Sequence, residues 1–357
     1  MPKPKISLVC PSYNHGKFIG AFLDGIINQT EQDFEIIIVD DASKDDNTAV
    51  VKKYADDRIK LIENDYNRGL AYSFTKGCRA AQADIVAFTP TDDVYFPQYL
   101  YSILEKYKDG EADAVFIAMK YIDEKGKALE GSWTLPVQKS QKEIFLHYFL
   151  KGPILATNGM SFKKTAIEKL LPLDYGVIQY LDTQLHFNFL FNNKVAMLNR
   201  PLVLNRVFSQ QTSARNNETL LRESIETEKL METVISLIGG DIKNFDYYFG
   251  DFKILQNREI YPETIPFWIA RLAMQSDLFD ARAWGYKKIM NFISCENNLD
   301  ILHKKYGFDF GTYLNLAKEV SAGNPAVKIK KYRKRLQRTT FVFIIILCSL
   351  LLIIWFL

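Results

Sequence analysis

Four short apolar runs, each followed by a helical pattern, occupy roughly the first hundred residues, and this repetition narrows the possible folds more than any other feature. The runs are Ile6–Cys10 ("ISLVC"), Glu35–Asp40 ("EIIIVD"), Ile59–Glu63 ("IKLIE") and Asp84–Thr89 ("DIVAFT"). After the first, Phe18, Ile19, Phe22, Leu23, Ile26 and Ile27 recur at helical spacing, which predicts an amphipathic helix. Further helices are expected near Asn47–Tyr54, Leu70–Gln82 and Pro97–Tyr107, the last opening on a proline suited to a first helical turn. Strands that are apolar throughout and alternate with helices predict an α/β fold with a mostly parallel sheet covered on both faces.

In such a sheet the C-terminal strand ends share one edge, and ligands bind there. The polar residues gather at those ends: "PSYNHG" (Pro11–Gly16), "DDASKDDNT" (Asp40–Thr48), "NDYNRG" (Asn64–Gly69) and "TPTDD" (Thr89–Asp93). There is no GxGxxG after the first strand and no GxxxxGK[ST], so neither a dinucleotide-binding turn nor a P-loop is present. The four loops instead offer an aromatic ring, a cation and paired carboxylates. Asp92 and Asp93 repel each other unless solvated or neutralised, and a carboxylate pair meets a phosphate group only across a cation such as Mg²⁺ or Mn²⁺.

Charge excludes little in bulk, because 45 basic residues against 42 acidic give a net charge of +3. That balance gives no reason to expect nucleic acid. Its distribution is more informative. Lys328, Lys330, Lys331, Arg333, Lys334, Arg335 and Arg338 precede the uncharged segment Phe341–Leu357. Seventeen residues at the helical rise cover roughly 25 Å, so 341–357 is expected to be a transmembrane helix and 324–340 a basic juxtamembrane segment. The positive-inside rule then places a single-pass C-terminal anchor in the cell membrane, with the catalytic domain cytoplasmic. Residues 216–323 read as a helical extension, and the four cysteines share no metal-binding spacing.

The stretch "LVCPSYNHGKFIGAFLDGIINQTEQDFEIIIVDDASKDDNT", continued by "NRGLAYSFTKGCRAAQADIVAFTPTDD", resembles family 2 glycosyltransferases over about residues 5 to 210. The shared elements are P-x-Y-N, S-x-x-x-Q-T and V-D-D-x-S-x-D-x-T in order. The resemblance implies a GT-A fold over 1–215 that transfers one sugar, with inversion, from a nucleotide diphosphate-sugar to an acceptor hydroxyl. It implies a UDP-linked donor, a glycan or lipid-linked acceptor, a divalent metal (Mn or Mg) as cofactor, and a role in cell-surface polysaccharide or glycolipid synthesis. It assigns Pro11, Ser12, Tyr13, Asp41, Arg68 and Asp92 to the nucleotide-sugar and Asp93 to the metal. Asp182, in "IQYLDTQLHFNF", becomes the base, while Asn158, Gly159, Met160 and Arg206 fall on the acceptor side. The sequence departs from the family pattern at Pro90, where a carboxylate is usual, and at Leu181, where a glutamate is usual. The Q-x-x-R-W element of processive synthases is absent. The competing classes are a nucleotidyltransferase, which "PSYNHGK" matches poorly, and a degenerate glycan- or nucleotide-binding scaffold. Asp40, Asp41 and Ser43 also suit plain turn and cap roles.

Overall fold

The computed structural model describes residues 3–209, 211 and 216–321. It divides into two compact units, Met1–Gly239 and Gly240 onward. In the first unit the strands are β1 (Ile6–Ser12), β2 (Phe34–Asp40), β3 (Ile59–Glu63), β4 (Ile85–Phe88), β5 (Val94–Tyr95), β6 (Ala114–Ile122), β7 (Ala128–Trp133), β8 (Ser161–Lys163) and β9 (Val195–Arg206). The helices are α1 (Gly16–Ile27), α2 (Asn47–Val51), α3 (Leu70–Ala80), α4 (Tyr99–Leu104), α5 (Gln141–Lys151), α6 (Lys164–Glu168), α7 (Leu181–Asn192) and α8 (Asn217–Ile238). The second unit contains α9 (Ile242–Phe249), α10 (Ile265–Ala273), α11 (Phe279–Ile293), α12 (Glu296–Tyr306) and α13 (Phe310–Ser321).

All of these strands join one sheet in the order β3-β2-β1-β4-β8-β6-β9-β5, with β7 paired to β6. β1 and β2 are apolar along almost their whole length because both sheet faces are covered, and β1 is buried at every position. α1 lays Phe18, Ile19, Phe22, Leu23 and Ile26 against the sheet, each side chain contributing roughly 1.5–3 kcal/mol by leaving water. α3 approaches β1 closely at Gly77, where an added Cβ would lie 2.4 Å from Val9 Cγ1. In the second unit α10 and α11 pack across Gly285, whose missing Cβ would stand 2.5 Å from the Ala270 carbonyl oxygen.

Two sequence expectations are corrected by the structure. The sheet is mixed rather than mostly parallel: β1–β2, β2–β3, β1–β4 and β6–β9 pair parallel, while β4–β8, β6–β8, β6–β7 and β5–β9 pair antiparallel. The reversal enters through β8 and β5, of three and two residues, which are too short to leave a periodic pattern. Secondly, no helix among the described residues is long and apolar enough to cross a membrane. The longest, α8, has 22 residues but carries Glu218, Arg222, Glu223, Glu226, Glu228, Lys229 and Glu232. The expected transmembrane helix at 341–357 and the basic segment 324–340 lie outside the described residues. The C-terminal anchor, the membrane as a partner, and the cell-membrane localisation with a cytoplasmic catalytic domain are therefore unsupported and are carried no further.

Candidate active site

Because β1, β2, β3 and β4 run parallel, their C-terminal loops meet at one edge. Polar networks knit those loops together. Ser12, at the end of β1, donates to Asn47 Oδ1 (3.0 Å) and accepts from Thr91 Oγ1 (2.8 Å). Asn47 in turn donates to Asp40 Oδ1 at 2.7 Å. Thr91 spends its proton on Ser12, so its contact with His15 Nδ1 at 2.8 Å requires the histidine to donate. Asn14, with a positive φ of 54°, accepts from the Lys44 backbone and donates its own N–H to Ser43 Oγ. Pro11 is buried inside β1, opposite Val39 of β2, whereas the Tyr13 ring is 37% exposed at the edge.

Asp41 lies beneath the loop between β3 and α3. Its buried carboxylate accepts from Asn64 Nδ2 (2.7 Å), Arg68 N (2.8 Å) and Gly69 N (2.7 Å). Gly69 holds φ of +84°, which lets the chain turn into α3 while its N–H faces that carboxylate. Arg68 presents its guanidinium between two tyrosines, 5.0 Å from the Tyr66 ring centre and 3.8 Å from that of Tyr72.

The acidic pair after β4 divides into unlike members. Asp93 is wholly buried, and its carboxylate accepts from Asn158 Nδ2 (2.6 Å), Asn205 Nδ2 (3.1 Å) and Arg206 N (2.8 Å). Burial, reinforced by the charge of Asp92, pushes its pKa well above the usual carboxylate range despite those donors. The Asp92 carboxylate has no hydrogen-bond partner among the described residues; its backbone carbonyl accepts from Arg206 Nε at 2.8 Å. Arg206 is itself buried, donates further to the carbonyls of Asp123 and Glu124, and lies 4.7 Å from the Phe18 ring centre. It therefore braces the acidic loop.

Asp93 has a folded-state pKa above its unfolded one, so its share of stability is intact below pH 3.8 and is lost as pH rises through the raised value. In chelator, the stability of Asp93→Asn relative to wild type is expected to climb with pH across that window. Paired thermal melts from pH 4 to 8 check this; a constant difference contradicts it.

Residues 157 to 159 form a strap between the acidic loop and α7. Thr157 Oγ1 donates to Asp182 Oδ2 at 3.2 Å, and the adjacent Asn158 donates to Asp93. Gly159 allows the strap to pass, with φ of +77° and an added Cβ that would fall 2.6 Å from Ile117 Cδ1. Gly159 N–H donates to the Phe88 carbonyl at the end of β4, and Tyr99 OH donates to the Gly159 carbonyl. Met160 is fully buried, so its side chain belongs to the core. Asp182 lies in the first turn of α7, half-buried, where the helix N-terminus favours a carboxylate. Its Oδ1 accepts from Thr183 N (2.6 Å) and Thr183 Oγ1 (3.2 Å).

The sequence reading missed Glu226. This α8 residue is buried, and its carboxylate accepts from the N–H groups of Ile178 (3.0 Å), Gln179 (2.8 Å) and Tyr180 (2.9 Å), immediately before Asp182. No sequence signal distinguishes it from the other glutamates of α8. Glu226→Ala strands three N–H groups and is expected to cost about 2–4 kcal/mol. Urea unfolding measures this, and a loss near zero would contradict it.

A GT-A architecture follows from this arrangement, and solved structures share it. Staphylococcus aureus TarS 1–349 in complex with UDP-GlcNAc aligns with a TM-score of 0.52 at 13% identity, covering 80% of this chain and 89% of that one. At such identity the likeness concerns fold. In sequence, residues 7–171 match the family model of glycosyl transferase family 2. Among curated relatives, an uncharacterized glycosyltransferase of Nostoc sp. is 29% identical over 175 residues, 48% of this chain and 54% of that one. The putative glycosyltransferase EpsH of Bacillus subtilis is 27% identical, covering 63% of this chain and 67% of that one. The Escherichia coli UDP-Glc:alpha-D-GlcNAc-diphosphoundecaprenol beta-1,3-glucosyltransferase WfgD is 22% identical, covering 60% and 80%. The chain thus spans about half the length of the Nostoc relative.

Proposed function

We propose that the chain transfers a single sugar, with inversion, from a UDP-linked donor to a hydroxyl of a glycan or lipid-linked acceptor in cell-surface glycan synthesis. The observation that carries this reading is the strap, which ties Asp182 to the acidic loop through consecutive side chains. A donor bound at the sheet edge would then meet its base across one short segment. The UDP-sugar named for WfgD and the UDP-GlcNAc bound to TarS support the choice of donor class.

Tyr13 offers an exposed ring to the base, with Pro11 and Ser12 forming the strand end beneath it. Asp41 acts through the Arg68 loop that it holds, and retains acceptor capacity on Oδ2 for a base N–H. Arg68 supplies the cation for phosphate. Among the described residues no cluster of three or more His, Cys, Asp or Glu side chains is placed to hold a metal. The residues nevertheless fit a hard divalent cation shared with donor phosphates, which needs few protein ligands. Asp92, with its unpaired carboxylate, is the better ligand, and Asp93 is the buried partner whose ionisation a nearby cation would favour. Mn²⁺ or Mg²⁺ there would stabilise charge developing on the departing diphosphate. Asp182 removes the acceptor's proton, and that oxygen attacks the anomeric carbon as the bond to the diphosphate breaks. Asn158 and Gly159 set the acceptor side, with Met160 packed in the core behind them, and Arg206 secures the wall next to it.

A panel of nucleotide-sugars, assayed for nucleoside diphosphate release with and without Mn²⁺, tests the proposal. Release from at least one UDP-sugar in the presence of Mn²⁺ is expected; stabilisation of the fold by donors without release or transfer to any acceptor would favour a binding role.

A further inference from the structure

Behind Asp182 lies a buried polar chain that the reaction as described does not use. Tyr148 of α5 and His186 of α7 are both fully buried, and Tyr148 OH meets His186 Nδ1 at 2.7 Å. His186 Nε2 meets Thr157 Oγ1 at 3.2 Å, the oxygen that also donates to Asp182. At the far end, Leu155 N–H donates to the Tyr148 oxygen at 3.1 Å. The His186 ring is gripped edge-on by Phe116, with centroids 4.8 Å apart, so it has little freedom to turn.

Proton counting gives the chain one direction. Thr157 has a single proton, and it goes to the carboxylate, which has none to return when ionised. Thr157 must then accept from His186 Nε2–H. Burial holds the His186 pKa down to about 4, against the opposing pull of Asp182, so the ring is neutral at working pH and has one N–H. Its Nδ1 is consequently an acceptor and takes the Tyr148 hydroxyl, whose oxygen receives Leu155 N–H.

We infer that Tyr148, His186 and Thr157 form a one-way hydrogen-bond chain that holds the Asp182 carboxylate in its orientation, as positioning residues for the transfer. The inference rests on Asp182 being the base. Three of the four carboxylate lone pairs are taken, two on Oδ1 by Thr183 and one on Oδ2 by Thr157, which leaves one on Oδ2 for the acceptor's proton. The ionisable groups around this carboxylate are His186 on its own helix, Tyr148 from α5, and Glu226 of α8, which holds the preceding backbone.

Nuclear magnetic resonance of the full chain tests this without any donor. With ¹⁵N-labelled histidine, four ring systems appear, and His186→Gln assigns one of them. The His186 ring is expected as the neutral Nε2–H tautomer from pH 8 to pH 5; an Nδ1–H tautomer, or titration at 6.5, overturns the chain. In steady-state transfer, Thr157→Val should lower kcat by about tenfold with the donor KM unchanged, and Thr157→Ser should restore it. An unchanged kcat in Thr157→Val, with the fold intact by its melt, also overturns the chain. Failure of the base assignment is separate, since Asp182→Asn would then still turn over UDP-sugar.

Discussion

Asp182→Asn is expected to lower sugar transfer by about 1,000-fold, roughly 4 kcal/mol of barrier, while leaving nucleotide binding unchanged. Asparagine fits the same space and can keep the Thr183 donors on its carbonyl oxygen, with its amide nitrogen donating to Thr157 Oγ1, but it cannot take a proton at neutral pH. The binding side of the site has no direct contact with Asp182; the connection runs through Thr157 and Asn158 to Asp93. Steady-state transfer and equilibrium titration of UDP, made on the same preparation, separate the two quantities. Near-normal transfer by the variant would remove Asp182 as the base, and lost UDP binding would mean that it supports the donor site instead.

Asp92→Asn is expected to weaken Mn²⁺-dependent UDP binding by about 100-fold, close to 2.8 kcal/mol, with little effect on stability. Its carboxylate has no hydrogen-bond partner among the described residues, so removing the charge strands no donor. Asp93 differs. Its neighbours Asn158, Asn205 and Arg206 all lose an acceptor if it becomes alanine, so that variant should lose fold stability before it reports on metal. Thermal melts beside the UDP titrations distinguish the pair. Equal loss of stability in Asp92→Asn and Asp93→Ala would contradict the division of labour.

The parallel half of the sheet was legible because its strands repeat one pattern: each apolar run from β1 to β4 ends in the polar residues that form the edge. The antiparallel half was not, since β5 and β8 are held by partners distant in sequence and carry no period of their own. At the site, "TPTDD" announced a carboxylate pair, but not which member would be swallowed. That depends on Asn158 and Asn205, which come from the strap and β9 respectively and approach Asp93 only in the folded chain. Glu226 was hidden for the same reason: its three N–H partners lie some 46 to 48 residues earlier. His186 is a buried link whose meaning comes from Thr157 and Tyr148 together, both of them distant from it in sequence. Asp41 also gains partners the sequence does not show, the backbone N–H groups of Arg68 and Gly69.

Calorimetric titration of UDP into the full chain, with Mn²⁺ and then with EDTA, tests the central claim most directly. Saturable binding in Mn²⁺, weakened at least about tenfold by EDTA and likewise by Asp92→Asn but not by Asp182→Asn, is the predicted result. Equal UDP affinity in Mn²⁺ and EDTA, or no binding in either, would contradict a metal-assisted nucleotide site at this sheet edge.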